Sequence, residues 1–453
     1  MKSFSNSENL KDVLFFKEIP KDEKAKCKFC GRTEEFLKMI CIMSKRQNRN
    51  ILIWGDFGIG KSSLVYQLIW TLSSDNCPNE FVDYIFISLD IPALVTKSKA
   101  NIHNALSELC SMLEKNPKLC LIIENFEFLI IGIETEIKLE LRKLLSIPGT
   151  CIIATADGIN EQIIRNNSIY NLFEKIHLEE PVIDDIYFMI KNQISEIESY
   201  HNVTISRHIA KWLIYCSEIF SDYRMPKRCV DLIDEVAAYA KLNMDKKVTK
   251  KHFFNLHTLE LQKYVNLSDE HKRNVAIHEL GHFIVHYFSK NLSLRPFLVS
   301  IVPIGLCDGS TYLYELPNFV ETVNEDYYVQ YIGCALGGKV SEEIFGVPAN
   351  SGSSADLDEA NEQARNFSSM SGMNPSLNDK IVFEDEMDSV DDDTMDDITS
   401  HTAYILGEAR IYAESIIHKN QAIIKKIIPE LIKNNGILTS YEIEKIMKRV
   451  DKT

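Results

Sequence analysis

The segment ILIWGDFGIGKSSLVYQLIWTL (51–72) constrains the fold more than any other. It opens as an apolar run of strand length, passes through a glycine-rich turn, and continues with helical periodicity. Gly55, Gly58, Gly60, Lys61 and Ser62 fit G-x-x-x-x-G-K-[ST], and the flanking strand and helix are the context that pattern requires. Glycines let backbone N–H groups converge on phosphate oxygens at a helix N-terminus, whose dipole favours anions. Lys61 would reach the β/γ-phosphates of ATP, and Ser62, with Ser63 beside it, would hold Mg²⁺. The competing reading is a strand–helix turn with a surface lysine. Strand-like runs at 84–89, 119–124 and 151–155 alternate with helix-length segments, which predicts a parallel sheet covered on both faces. Beyond Pro181, stretches such as DDIYFMIKNQISEIESY carry helical periodicity only, predicting an α-helical subdomain to about residue 262.

Nucleotide hydrolysis needs acidic groups at the end of a neighbouring strand. LCLIIE supplies Glu124 for the metal, but Asn125 follows where a second acid would polarise the attacking water. An amide cannot accept that proton, so binding is predicted more firmly than hydrolysis.

A second motif carries different chemistry. His278-Glu279-Leu280-Gly281-His282 is H-E-x-x-H inside the helix-like run NVAIHELGHFIVHYF. Two histidines at i and i+4 share one helix face and can share a zinc ion. Glu279 then stands where a general base takes a proton from water and passes it to the leaving amine. The alternative is a helix with two satisfied histidines and a surface glutamate. His286 lies about 12 Å from His278 along an unbroken helix, too far to share that ion, and reads as a helix-face histidine. In SGSSADLDEANEQARNF (351–367), Leu357, Ala360, Ala364 and Phe367 form one apolar stripe, and Asp356 borders it. A carboxylate against a buried face needs a partner. Periodicity leaves two readings level: a third ligand, or a first-turn carboxylate completing a capping box with Ser353. Glu342 and Glu343 read either as support for a ligating histidine or as helix-surface carboxylates.

Composition sets outer limits. Across 453 residues, 65 Asp+Glu against 50 Lys+Arg give a net charge of −15, which argues against a nucleic-acid binder. The most apolar stretch, LCLIIENFEFLIIGI, carries two glutamates, so no membrane span is expected. The opening residues hold no apolar core of signal-peptide length. Eleven cysteines stand singly apart from Cys27 and Cys30, whose lone CxxC is a weak metal or redox signal, so a cytoplasmic protein without a disulfide framework is expected. The acidic run EDEMDSVDDDTMDD (384–397) reads as a solvated, mobile loop, and the residues after it as one or two amphipathic helices.

Two family resemblances sharpen these readings. GRTEEF (31–36), SLDIPALV (88–95), CIIATADGI (151–159), LFEKIHLEEPVIDD (172–185) and MPKRCVDLIDEVAAYAK (225–241) follow in an order and spacing that resemble the first ATPase module of Clp-type AAA+ unfoldases. The resemblance implies that Thr155 is a sensor beside the γ-phosphate and Arg228 a sensor from the lid. The chain departs from that family at Asn171-Leu172, where arginine fingers are expected, and at Lys99–Ile102, where the pore loop lacks an aromatic. From about 268 onward, VAIHELGHFIV, SIVPIGLCDGSTYLYELP, ALGGKVSEEIFG and SGSSADLDEANEQARNFSSMSGM resemble the peptidase domain of FtsH-family zinc proteases. That likeness implies Asp356 as the third zinc ligand beside His278 and His282. No stretch corresponds to the FtsH membrane anchor.

The expected architecture is an α/β P-loop AAA+ domain with a parallel sheet and a helical lid, followed by a mainly α-helical zincin-type peptidase domain. Expected divisions are a polar arm (1–25), the nucleotide-binding domain (26–180), the lid (181–262) and the peptidase (263–453). The resemblances imply an ATP-dependent or ATP-gated zinc endopeptidase acting on polypeptides as a homo-oligomer, a hexameric ring. The rivals are a zinc peptidase on a nucleotide-binding module that does not hydrolyse, and an inactive nucleotide-dependent scaffold.

Overall fold

The computed structural model describes residues 16–18, 31–73, 77–89, 91, 99–130, 135–220, 223–305, 307–317, 319–349, 351–378 and 380–450. Cys27, Cys30, most of the 1–25 arm and most of 88–95 lie outside them, as do the side chains at 99–102. The chain divides into two compact units, residues 1–202 with 221–235, and residues 203–220 with 236–453.

The first unit is built on a six-stranded sheet. Its strands are β1 (Phe16–Glu18), β2 (Ile51–Gly55), β3 (Ile85–Leu89), β4 (Leu119–Ile123), β5 (Cys151–Asp157) and β6 (Glu174–His177), in the order β1-β3-β4-β5-β2-β6. β2 to β6 run parallel, and β1 pairs antiparallel with β3 at the edge. Period-two alternation sorts the strand side chains into two cores. Leu52, Trp54, Leu121, Ile123 and Ile152 face one side, and Ile51, Ile53, Ile122 and Ile153 face the other. The first side is covered by α3 (Lys99–Lys115) and α4 (Thr135–Leu145), through Leu109 and Leu144 among others. The second is covered by α1 (Thr33–Met43) and α2 (Lys61–Leu72), through Met39, Leu64 and Leu68. Burial on both faces explains why β2 and β4 are apolar at nearly every position. β1 and β6 were not expected, being only three and four residues long and rich in charge.

After α5 (Glu161–Asn166) come the helices α6 (Ile183–His201), α7 (Arg207–Phe220), α8 (Lys227–Leu242), α9 (Lys250–Leu256) and α10 (Thr258–Asn266). Only an isolated bridge, Thr204 to Lys247, breaks the helical character among the described residues there.

The second unit continues with α11 (Asp269–Phe288), β7 (Leu294–Ser300), β8 (Ser310–Glu315), α12 (Glu325–Phe345), α13 (Ser354–Met370), α14 (Asp392–Lys433), β9 (Ile437–Thr439) and α15 (Ser440–Val450). Its three strands form an antiparallel sheet in the order β8-β7-β9, with Leu298 opposite Thr439. α11 and α12 meet backbone to backbone, because a Cβ on Gly281 would collide with the Gly337 carbonyl oxygen. Glycine at both positions is what permits that approach.

Two features differ from expectation. The acidic run is not a loop: Glu384–Ser389 form a 3-10 turn, and Asp391 accepts a hydrogen bond from the Thr394 N–H at 2.9 Å as the N-cap of α14. Asp392 and Asp393 occupy the first turn of that helix, where its dipole favours negative charge. β9 was also missed, since three buried residues between two helices leave no periodic signal.

Candidate metal centre and nucleotide site

α11 carries His278 and His282 one turn apart, and α13 brings Asp356 to them. Asp356 Oδ2 lies 3.1 Å from His278 Nε2 and 3.4 Å from His282 Nε2, and the two ring nitrogens are 3.1 Å apart. Ligands of a tetrahedral zinc at about 2.05 Å sit about 3.3 Å from each other. The trio therefore has nearly the spacing of one face of such a site, and among the described residues it is the one group of this kind.

The other nitrogen of each imidazole is held. His278 Nδ1 is 3.1 Å from Glu342 Oε1, and His282 Nδ1 is 2.8 Å from the Cys334 carbonyl oxygen. These contacts aim both Nε2 atoms at a common point, as orienting partners behind metal-ligating histidines do. Glu342 is fixed in turn by Ser353, whose hydroxyl donates to Oε2 at 3.2 Å. Ser353 makes no side-chain cap hydrogen bond to α13. Of the two readings of Asp356, the capping box is thus absent. Gly338 lies against the imidazoles: a Cβ there would stand 2.5 Å from His278 Cε1 and His282 Nε2.

The electrostatics match a cation site. Burial opposes charge on His278, but hydrogen bonds to Asp356 and Glu342 outweigh it and push its pKa up to about 10. Burial also opposes charge on Asp356, yet hydrogen bonds from His278 and His282 hold its carboxyl well below the usual carboxylate range. In the absence of a cation, protons carry the positive charge that this carboxylate demands.

Glu279 is buried, and burial raises its carboxyl above the ordinary range against the pull of His282 and His278. Thr311 on β8, which sequence reasoning missed, approaches Glu279 with its hydroxyl 2.8 Å from the backbone carbonyl oxygen and 3.0 Å from Oε2. Its only sequence signal is a hydroxyl in the turn-and-strand segment DGST. His278, Glu279, His282 and Asp356 all line a cavity of about 1050 Å³.

The first unit holds the other predicted residues, most of them at the carboxyl ends of its strands, where open α/β sheets bind ligands, and Arg228 on α8. Gly55 pairs with Asp157 across β2 and β5, and Gly60 caps α2 in a left-handed conformation. Lys61 Nζ donates to the Gly55 and Asp56 carbonyl oxygens at 2.9 and 2.6 Å and forms an ion pair with Asp157. Ser62 and Ser63 follow in the first turn of α2. Glu124 Oε1 is buried with no hydrogen-bond partner among the described residues, an acceptor that a hydrated Mg²⁺ would satisfy. Asn125 is left-handed, and its N–H donates to Thr155 Oγ1 at 3.2 Å. Arg228 pairs with Glu180 at 3.2 Å, and Asn171 accepts from Lys175. Sequence reasoning missed two acids here. Asp157 ends β5, and buried Glu127 accepts from the Asp157 N–H at 3.2 Å.

Comparison with known proteins gives the class. Residues 265–446 match the family model Peptidase family M41, and residues 183–279 match the AAA lid domain. The ClpE ATP-binding subunit of the Clp protease of Bacillus subtilis is 23% identical over 248 residues, covering 53% of this chain and 36% of that protein. The chaperone ClpB of Bacillus cereus is 25% identical over 230 residues, covering 49% of this chain and 27% of that one. An S. cerevisiae Hsp104:casein complex in its extended conformation aligns with a TM-score of 0.49 at 19% identity, covering 60% of this chain and 49% of that one. The chain spans about a third or less of the length of these curated relatives. It carries a peptidase M41 domain of the FtsH type, joined to an AAA lid domain in a chain similar to Clp ATPases. No helix among the described residues is long and apolar enough to cross a membrane.

Proposed function

We propose that this chain is a zinc-dependent endopeptidase that cleaves polypeptides under the control of ATP bound by its AAA+ module. The observation that carries this reading is the convergence of His278, His282 and Asp356 beside Glu279 in one cavity. A bound zinc ion would supply Lewis acidity, polarising the scissile carbonyl and easing deprotonation of water. Glu279, held by Thr311, takes the proton of the attacking water and delivers it to the departing amine. Glu342 and the Cys334 carbonyl keep the imidazoles turned inward.

In the nucleotide site, Gly55, Gly58 and Gly60 would shape the phosphate loop, Lys61 would turn from its carbonyl partners to phosphate oxygens, and Ser62 and Glu124 would hold Mg²⁺. Thr155 and Arg228 would sense the nucleotide. The proposed divisions are 26–180, 181–262 and 263–453. A homo-hexameric ring enclosing the peptidase sites is the assembly proposed by analogy with AAA+ relatives. A cytoplasmic setting accords with nine free cysteines among the described residues.

A second reading is favoured by Asn125 and by Asn171-Leu172, which remove the water-polarising acid and the arginine finger. ATP would then gate assembly or access without being hydrolysed. Casein cleavage by the full chain with ATP, with a non-hydrolysable analogue and without nucleotide separates the two, with Glu279→Gln as control. ATP-only cleavage supports coupling to hydrolysis, and equal cleavage with the analogue supports gating. Cleavage that survives Glu279→Gln rejects the zinc-peptidase assignment.

A further inference from the structure

Two acids at the carboxyl end of the first unit's sheet, Asp157 and Glu127, have no part in the function described so far. Period-two alternation along β5 puts Cys151 and Ile153 on the face that α2 covers, and carries Thr155 and Asp157 to the same face. α2 begins there with Lys61, and the Asp157 carboxylate pairs directly with its ammonium. Gly55, the first glycine of the phosphate loop, lies opposite Asp157 in the ladder. An ammonium has three N–H donors. Lys61 has three acceptors for them, the Gly55 and Asp56 carbonyl oxygens at 2.9 and 2.6 Å and the carboxylate of Asp157.

A phosphate oxygen reaches Lys61 only by displacing one of these acceptors. Of the three, the carboxylate is the one whose negative charge a phosphate replaces. Asp157 is then left beside the phosphates without its cation. Its backbone stays fixed, because the Asp157 N–H donates to Glu127 Oε2 at 3.2 Å. Exposure decides which of the two acids can meet water: Glu127 is 6% exposed, whereas the Asp157 side chain is 25% exposed. The Asn125 N–H donates to Thr155 Oγ1 at 3.2 Å, two residues before Asp157 on β5. An amide that cannot take a proton and a carboxylate that can thus stand at neighbouring strand ends.

We propose that Asp157 is a catalytic residue of ATP hydrolysis, the carboxylate that takes the proton of the attacking water in place of Asn125. With Lys61 turned to phosphate, the water oxygen bonds to the γ-phosphorus. The bond from that phosphorus to the oxygen bridging to the β-phosphate breaks, and its electron pair leaves with ADP. One water proton passes to Asp157 and then to solvent, giving ADP and inorganic phosphate with no other reactant. This rests on the phosphate-loop reading above and assigns hydrolysis, rather than gating alone, to the bound ATP.

The test uses the full chain. Calorimetric titration with a non-hydrolysable ATP analogue and Mg²⁺ reads binding, and release of inorganic phosphate from ATP reads turnover. Asp157→Asn should bind the analogue as tightly as the wild type or up to about tenfold tighter, since no charged pair with Lys61 has to be broken. Its kcat should fall about 100-fold or more, the usual contribution of a general base. Asp157→Ala is measured alongside, with thermal melts to show that both variants fold. Unchanged turnover in a folded variant overturns the proposal. So does analogue binding that weakens in step with kcat, which would make Asp157 a binding residue. A wild type that binds the analogue but releases no phosphate from ATP overturns it too, and leaves the phosphate-loop assignment standing. A wild type that binds no nucleotide refutes the phosphate-loop reading, and the proposal with it.

Discussion

Gly338→Ala is the most informative single substitution. The added methyl would lie 2.5 Å from His278 Cε1 and His282 Nε2 and 2.6 Å from His278 Nε2. Carbon contacts are comfortable at about 3.5–4.0 Å, so the overlap is about 1 Å against two rings at once. Neither ring can swing away freely, because Glu342 and the Cys334 carbonyl hold the far nitrogens. Nor can α12 withdraw without opening its close contact with α11 at Gly281 and Gly337. Overpacking of this kind costs about 1–3 kcal/mol, offset by less than about 1 kcal/mol from the helix propensity of alanine. The metal site should suffer beyond that, since displaced orienting contacts typically lower affinity about 10–100-fold. Competition with a chromogenic zinc chelator and thermal melts with and without EDTA measure the two effects. Gly407→Ala is the control: it also lies within a helix, but a Cβ there meets nothing within 4 Å, so it should be neutral or stabilise by up to about 1 kcal/mol. If Gly338→Ala binds zinc as the wild type does, the argument that these imidazoles are locked in place is wrong.

Glu342→Ala should weaken zinc binding about 10–100-fold without unfolding the protein, read by the same chelator competition; undiminished affinity would show that the His278 contact does not orient the ligand. Lys61→Ala should reduce ATP affinity about 10–100-fold in calorimetric titration, because a charged hydrogen-bond donor to the phosphates is lost; retained affinity would exclude the phosphate-loop assignment. Metal-free protein should lose stability as pH rises. The folded pKa of His278, about 10, lies above its ordinary 6.5, so its contribution is complete below about pH 6.5 and fades as the pH climbs through about 10. The Tm gap between EDTA-treated wild type and Asp356→Asn should therefore narrow across that window, and a constant gap would reject the ion-pair argument.

What could be read in advance was whatever recurs along the chain. The phosphate loop lies between a strand and a helix because both neighbours are contiguous with it. His278 and His282 are legible as a pair because four residues make one turn. Asp356 was half legible: its stripe marked a buried face, but only family likeness joined α13 to α11. Thr311, Gly338 and the Glu342 contact escaped or stayed ambiguous for one reason. Each meets the site from another element, and no periodicity encodes a contact across 32 to 64 residues of separation. For His286, spacing tells that it stands too far along α11 to share the ion with His278, but not that its side chain is buried. The acidic run was misread because charge density, taken alone, resembles a loop, whereas Asp391 to Asp393 serve a helix start. Asp157 and Glu127 sit in segments that were read for other residues.

The pairing of β9 with β7 also sets a schedule. Leu298 and Thr439 are about 140 residues apart, and contacts of such long range form late. On a ribosome adding about 5–20 residues each second, β7 waits several seconds for its second neighbour. Until then the sheet that presents Thr311 to Glu279 lacks one of its three strands. On the peptidase reading proposed above, the nascent chain is itself the kind of polypeptide such a site would cut, and this order of assembly leaves the site incomplete until nearly all of the chain has been synthesised.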